Sequence, residues 1–245
     1  MQIGHTVTLF DVPISRLALG AAVEECVARI ASGGGGYACF VNVHSLIEST
    51  RQPALRESLR GATYCFADGM PLVWLARRVG AAIAGRAAGP DFMPALLQRT
   101  RHRRHGLIGG ELLGEQIATR QGLDAVSYAP PRRAFSRDHA LADWEAFRTR
   151  CAGDVPTIVW VGLGAPKQEL WMAAVAPHAP GVMFFGVGAA FDLLAGQLPR
   201  APRWMQTRGL EWLYRLVREP GRLGIRYAVT NTRFLVRATQ VGKKK

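Results

Sequence analysis

A CxxC pair, a DxD carboxylate pair and long apolar runs are all missing from this 245-residue sequence, and each absence removes a class of protein. Cys26, Cys39, Cys65 and Cys151 lie far apart, with no CxxC pair. Three of them stand in or beside apolar runs, where a free thiol behaves as a small hydrophobe. A zinc ribbon and a disulfide scaffold are excluded, and a reducing, cytoplasmic setting is expected. His102 and His105 share a basic turn without an acid or cysteine at ligand spacing, so no dedicated metal site is expected. No uninterrupted apolar stretch approaches the roughly 20 residues that span a bilayer. The first residues, MQIGHTVTLFDVP, hold neither a basic leader nor a long apolar segment, so no secretory signal is expected.

Acidic residues are scarce as well. Lysine and arginine number 31 against 18 aspartates and glutamates, a net charge of +13. From Arg200 onward nine arginines and three lysines face only Glu211 and Glu219, a net of +10. A near-neutral body with a basic tail is the pattern, and it predicts a core over 1–199 and a helical appendage over 200–245.

What is present is a core. Hydrophobic residues make up 49% of the chain, enough for one or two domains. HTVTLFDVPI alternates and turns, predicting a small hairpin or edge strand. SRLALGAAVEECVARIAS reads as a helix with a serine cap, ending in Gly33–Gly36. Strands follow at YACFVNV, ATYCFAD, HGLIGG, LDAVSYAP, PTIVWVGLG and GVMFFGVG. Helical segments alternate with them, the first a single helix over HSLIESTRQPALRESLR. Strands that are apolar throughout, separated by amphipathic helices, predict an α/β fold: a Rossmann-like, mostly parallel sheet with helices on both faces. Ligands in such folds collect beyond the carboxyl ends of the strands. That rule selects Asn42, Asp68, Gly109, Gly110, the segment 162–168 and the segment 186–192.

The tail breaks this alternation. APRWMQTRGLEWLYRLVREP and GRLGIRYAVTNTRFLVRATQ predict two helices separated at Pro220-Gly221. Leu210, Leu213, Tyr214 and Val217 share one face of the first, with Arg208, Arg215 and Arg218 opposite. Such a basic amphipathic helix suits a membrane interface or an anionic ligand. An ordinary packed helix with a solvated basic face has the same pattern.

Each chemical motif is modest by itself. FADGMPLVW sets Asp68 at a strand end, as a helix cap or as a base. HGLIGGELLGEQ is strand, glycine turn and helix, which brings backbone N–H groups to a phosphate; it lacks the spacing of a dinucleotide fold or a P-loop. VGLGAPKQELW gathers Lys167, Gln168 and Glu169 at one helix mouth, suited to a nucleotide base or sugar and equally to plain capping. GVGAAFDLLAG places Asp192 just past a strand end. GRAAGPDFMP places Arg86 and Asp91 around a Gly-Pro turn, where the arginine is a candidate for pairing with an anion.

In order, FVN, ADGMPLVW, GRAAGPDFMPALL, LIGG, VGLGAPKQELWM and GVGAAFDLLAGQLPRAPRWMQTRGLEWLYRLVREPGR resemble the WecG/TagA/CpsF family, glycosyltransferase family 26, over nearly the whole chain. The resemblance implies transfer of a sugar from a UDP-sugar to a polyprenyl-diphosphate-linked sugar, with inversion. It places the reaction at the cytoplasmic face of the membrane, in bacterial surface or exopolysaccharide synthesis. It further implies Asp68 as general base, Asn42 in the sugar pocket, and Arg86 and Gln168 near the donor. Arg208, Arg215 and Arg218 then belong to an appendage that brings arginines to the site at an anionic membrane. Neither metal nor other cofactor is implied, and no DxD pair is present to hold Mg²⁺. Where some members carry Thr, this chain has Phe40, which leaves the donor open between N-acetylmannosamine-type and glucose-type hexoses. Homo-oligomerisation stays open.

Two other classes share single features of this sequence. A nucleotide-dependent oxidoreductase is suggested by Gly109-Gly110 but lacks GxGxxG and an acid about 20 residues on. A nucleic-acid binder is suggested by the basicity, yet needs a basic groove with stacking aromatics. No nucleic acid is expected as partner.

Overall fold

The computed structural model describes residues 6–110, 112–218 and 220–241. Its first element is an antiparallel hairpin of β1 (Thr6–Leu9) and β2 (Val12–Ser15). The turn residues Phe10 and Asp11 have φ of 47° and 65°, the left-handed pair that a tight two-residue turn requires. Helix α1 (Leu19–Ala31) follows, with Ala18 at its N-cap and no side-chain cap. The expected serine cap is not used: Ser15 ends β2, and its Oγ accepts from the Leu17 N–H at 3.4 Å.

Six parallel strands then form one sheet. Strand β3 (Gly36–Val41) leads through α2 (Val43–Ser49) and α3 (Pro53–Arg60) to β4 (Tyr64–Ala67). The single helix expected between these strands is two, because Pro53 pushes Gln52 out of helical geometry, to φ −117° and ψ 98°. Next come α4 (Met70–Arg78), α5 (Gly89–Thr100), β5 (His105–Ile108), α6 (Leu113–Gln121) and β6 (Ala125–Tyr128). Helix α7 (Arg137–Arg150), β7 (Ile158–Val161), α8 (Lys167–Val175), β8 (Met183–Gly186) and α9 (Ala190–Leu194) complete the body.

The strand order is β4-β3-β8-β7-β5-β6, and every pair is parallel. Alternation along each strand feeds two cores. Cys39, Val41, Val159, Val161 and Phe184 point to one, with α2, α3, α7, α8 and the hairpin above them. Ala38, Phe40, Ile158, Trp160, Met183 and Phe185 point to the other, beneath α1, α5, α6 and α9. The fold is the expected α/β class, Rossmann-like, with helices on both faces. It explains why the strands read as apolar throughout: no face of the inner strands meets water.

Among the described residues, the tail holds three helical stretches where two were expected: α10 (Arg203–Thr207), α11 (Glu211–Arg218) and α12 (Pro220–Val241). The additional break falls at Gly209, whose φ of 70° is costly for any other residue type. Helix α12 packs against α2. Its Phe234 is buried and meets the Phe10 ring edge-on at 6.4 Å. Among the described residues, no helix is long and apolar enough to cross a membrane.

Candidate active site

The carboxyl edge of the sheet brings four separate stretches together through backbone contacts. The Asp68 N–H donates to the Val41 carbonyl at 2.8 Å, extending the β3–β4 ladder by one residue. That bond sets Asp68 beside Asn42, each one step past its strand. The Ala87 N–H donates to the Ala67 carbonyl at 2.9 Å, which ties the loop carrying Arg86 to the same strand end. Gly89, opening α5, sits so close to Val187 that a Cβ would come 3.2 Å from its carbonyl oxygen. The ends of β3, β4 and β8 and the Arg86 loop therefore form one crevice.

Two roles read from the sequence are now distinguishable. Gly69, not Asp68, holds the N-cap position of α4, at φ 123°. Asp68 is half-buried on the preceding residue, where its carboxylate belongs to the strand end. Asn42 does cap: its Oδ1 accepts from the Ser45 N–H at 3.1 Å, and Ser45 Oγ accepts from the Asn42 N–H at 3.0 Å. This reciprocal capping box fixes an exposed Asn42 at the mouth of the crevice.

Arg86 does find anions, and they belong to the chain itself. Its guanidinium lies 3.0 Å from Asp91 and 3.6 Å from Glu211 of α11. Arg200 pairs with the same two carboxylates, with Asp91 at close range and with Glu211 at 3.7 Å. Two arginines and two acids so join the start of α5 to the tail. The four side chains are between 20% and 31% exposed, and this partial burial makes the cluster stronger than surface pairs.

Farther along the edge, Gly109 and Gly162 follow β5 and β7, where the connections diverge to opposite sides of the sheet. The Phe191 ring occupies this switch point. A Cβ on Gly109 would lie 2.8 Å from it, and one on Gly162 2.6 Å. Phe191 is 1% exposed and has nowhere to retreat. Gly162→Ala is expected to cost about 1–3 kcal/mol, measured by urea unfolding. Gly20→Ala, with open space around its Cβ, should be neutral or stabilising; equal losses in both would contradict this packing. Gly110 is exposed, and a Cβ there would come 2.9 Å from the Leu113 side chain.

Gln168 and Glu169 are both buried, at 5% and 1% exposure. Gln168 Nε2 donates to the Gly186 carbonyl at 2.9 Å and to Glu169 Oε1 at 3.0 Å. Burial pushes the Glu169 carboxyl up from 4.5 to about 7, against the opposing pull of the Gln168 amide that donates to it. Below pH 4.5 the folded and unfolded chains both hold this proton. As pH rises, the unfolded chain ionises first, so stability falls until about pH 7, by about 3 kcal/mol in the limit. Glu169→Gln should therefore gain more over the wild type at about pH 7.5 than at about pH 5 in urea unfolding. An equal gain at both would contradict the buried-acid assignment.

The other expected residues are more dispersed. Asp192 stands in the first turn of α9, and its carbonyl accepts from the Gln197 and Leu198 N–H groups. Arg208 lies over the Trp204 ring at 5.9 Å and Arg218 over Tyr214 at 5.2 Å. The Arg215 side chain lies outside the described residues. Phe40 turns away from the crevice: it is buried, with its ring tilted against those of Phe66 and Phe92 at 5.7 and 5.0 Å. Its side chain therefore belongs to the core beneath α1 and α5. His105 is also a core residue, accepting from Trp160 Nε1–H at 3.2 Å. Among the described residues, no three His, Cys, Asp or Glu side chains gather as a metal-binding group.

Arg200, Glu211, Phe191 and the burial of Glu169 were not singled out by the motifs. Only Glu169 left a local trace. Gln168, Trp171, Met172 and Val175 recur at i, i+3, i+4 and i+7, which turns the start of α8 inward. Two surface depressions lie away from the crevice, of about 370 and 470 Å³. The first opens at the amino ends of β3 and β8 and the second beside β6, neither at the edge where α/β ligands collect.

Residues 7–245 match the model of a known family, described as the glycosyl transferase WecG/TagA/CpsF family.

Proposed function

Since the chain belongs to the WecG/TagA/CpsF glycosyltransferase family, we propose that its carboxyl-edge crevice moves a hexose from a UDP-sugar to a polyprenyl-diphosphate-linked sugar. Inversion follows from a single in-line displacement. The acceptor hydroxyl attacks the anomeric carbon as UDP departs from the opposite face. Asp68 takes the hydroxyl proton, which is worth about 10²–10⁴-fold for a well-placed base. Arg86 and Arg200 stand ready to meet the charge that develops on the leaving diphosphate, a role for which planar, bidentate guanidinium is suited. Neither metal nor other cofactor has a part in this scheme. The donor is an N-acetylmannosamine-type or glucose-type hexose.

The observation that carries the reading is the pair of backbone bonds, Asp68 to Val41 and Ala87 to Ala67. They bring the base and the arginine loop to the same strand end. The tail supports a peripheral position on the inner face of the cytoplasmic membrane. Val217 and Leu213 of α11 are 73% and 36% exposed, so its apolar stripe is not spent on the core. Basic residues near an anionic surface each contribute roughly 1 kcal/mol.

A panel of UDP-sugars incubated with short-chain prenyl-diphosphate sugars, read by mass spectrometry, tests the proposal. One mass increment of a hexose or N-acetylhexosamine on the lipid is expected. Release of UDP to water alone, with no lipid product from any donor, would overturn it.

A further inference from the structure

Glu169 is a buried acid with few partners. Its Oε1 accepts one hydrogen bond, from Gln168 Nε2 at 3.0 Å, and its Oε2 meets no donor among the described residues. An apolar side chain of the same size would satisfy the surrounding core better, because a desolvated carboxyl is costly. What the carboxyl does is complete a set of contacts around its neighbour. A primary amide nitrogen carries two hydrogens, and those of Gln168 are both used, on Glu169 and on the Gly186 carbonyl at 2.9 Å. Both partners accept, so the nitrogen end of the amide must face them. The amide oxygen is thereby turned to the other side. There Gln168 Oε1 is buried and meets no donor among the described residues. It lies toward Gly188, two residues past β8, where a Cβ would come 3.4 Å from it. The nearby backbone offers nothing, since the Val187 and Gly188 N–H groups both donate to the Val161 carbonyl. Buried acceptors without donors are rare in native proteins and mark places where another molecule supplies the proton.

We propose that Glu169 is a positioning residue of the transferase site, which locks the Gln168 amide so that its oxygen accepts from an N–H or O–H group of the sugar nucleotide. This rests on the transferase reading given above. The carboxyl orients Gln168 and itself touches no substrate. Gly188 lacks a side chain where one would shield the waiting oxygen.

Three variants test this: Glu169→Leu and Glu169→Met, which remove the acceptor, and Glu169→Gln, whose side-chain carbonyl retains it. Each is characterised by thermal unfolding, by UDP titration calorimetry, and by KM and kcat for the UDP-sugar. The Leu and Met variants are expected to melt at or above the wild-type temperature. They should also lose about tenfold in UDP affinity, or gain about tenfold in KM for the UDP-sugar, with a smaller change in kcat. A loss seen with UDP places the contact on the nucleotide; one seen only with the UDP-sugar places it on the hexose. The Gln variant should bind within about threefold of the wild type. Wild-type affinity and KM in the Leu or Met variant would overturn the proposal. So would a lower melting temperature in both, because the carboxyl would then be structural. If the wild type itself binds neither UDP nor any UDP-sugar, the transferase reading fails and this proposal falls with it; normal wild-type binding with unaffected variants sinks this proposal alone.

Discussion

Asp68→Asn is expected to lower sugar transfer by about 10²–10⁴-fold while leaving the melting temperature and UDP affinity close to those of the wild type. The reasons are local. The Asp68 N–H carries the ladder bond to Val41, and backbone bonds are unaffected by the exchange. Gly69, not Asp68, caps α4, so no helix start is lost. The residue is half-buried at a strand end, and asparagine keeps the size of its side chain. What disappears is the capacity to take a proton. The loss should fall on kcat, because the donor is bound by other groups. Transfer at the wild-type rate by this variant would remove Asp68 from the chemistry.

Arg86 and Glu211 should move UDP binding in opposite directions. Arg86→Ala removes a cation from the leaving group, with an expected loss of about 10²–10³-fold in kcat and weaker UDP binding. The fold should tolerate it, because Asp91 and Glu211 each keep a contact with Arg200. Glu211→Gln acts on the competitor. A diphosphate approaching Arg86 must share or displace the Glu211 carboxylate at 3.6 Å. Neutralising that carboxylate is expected to tighten UDP binding by about threefold to tenfold. Calorimetric titration of the two variants beside the wild type checks both signs. Equal affinity in all three would show that the arginine cluster is only a structural tie between the body and the tail.

The general architecture was legible because it depends on local pattern. Strands such as TIVW and MFFG are apolar on both faces, and only a parallel sheet covered on both sides buries them so. The strand-end rule then reached Asn42, Asp68 and Gln168 without knowledge of any contact. Two helix breaks were readable in principle, since Pro53 and Gly209 each carry a backbone preference that ends a helix. Length and periodicity point instead to longer helices. The arginine cluster was not legible, because Arg200 and Asp91 stand 109 residues apart and pair only once the tail has folded back. Glu169 shows a different limit. An acid in a first helical turn ordinarily faces water and the helix dipole; here α8 packs between the sheet and its neighbouring helices, and that cover decides its burial. Phe40 shows the same limit, since a strand position alone does not reveal which of two buried faces its side chain joins.

The central claim is that a UDP-sugar binds at the carboxyl edge of the sheet, between Asp68 and the Arg86–Arg200 cluster. A crystal structure of the full chain grown with saturating UDP tests this most directly. The diphosphate is expected within hydrogen-bond distance of Arg86 or Arg200, with the Asp68 carboxylate facing the space beyond the terminal phosphate. UDP seated at the amino ends of β3 and β8, or beside β6, would contradict it.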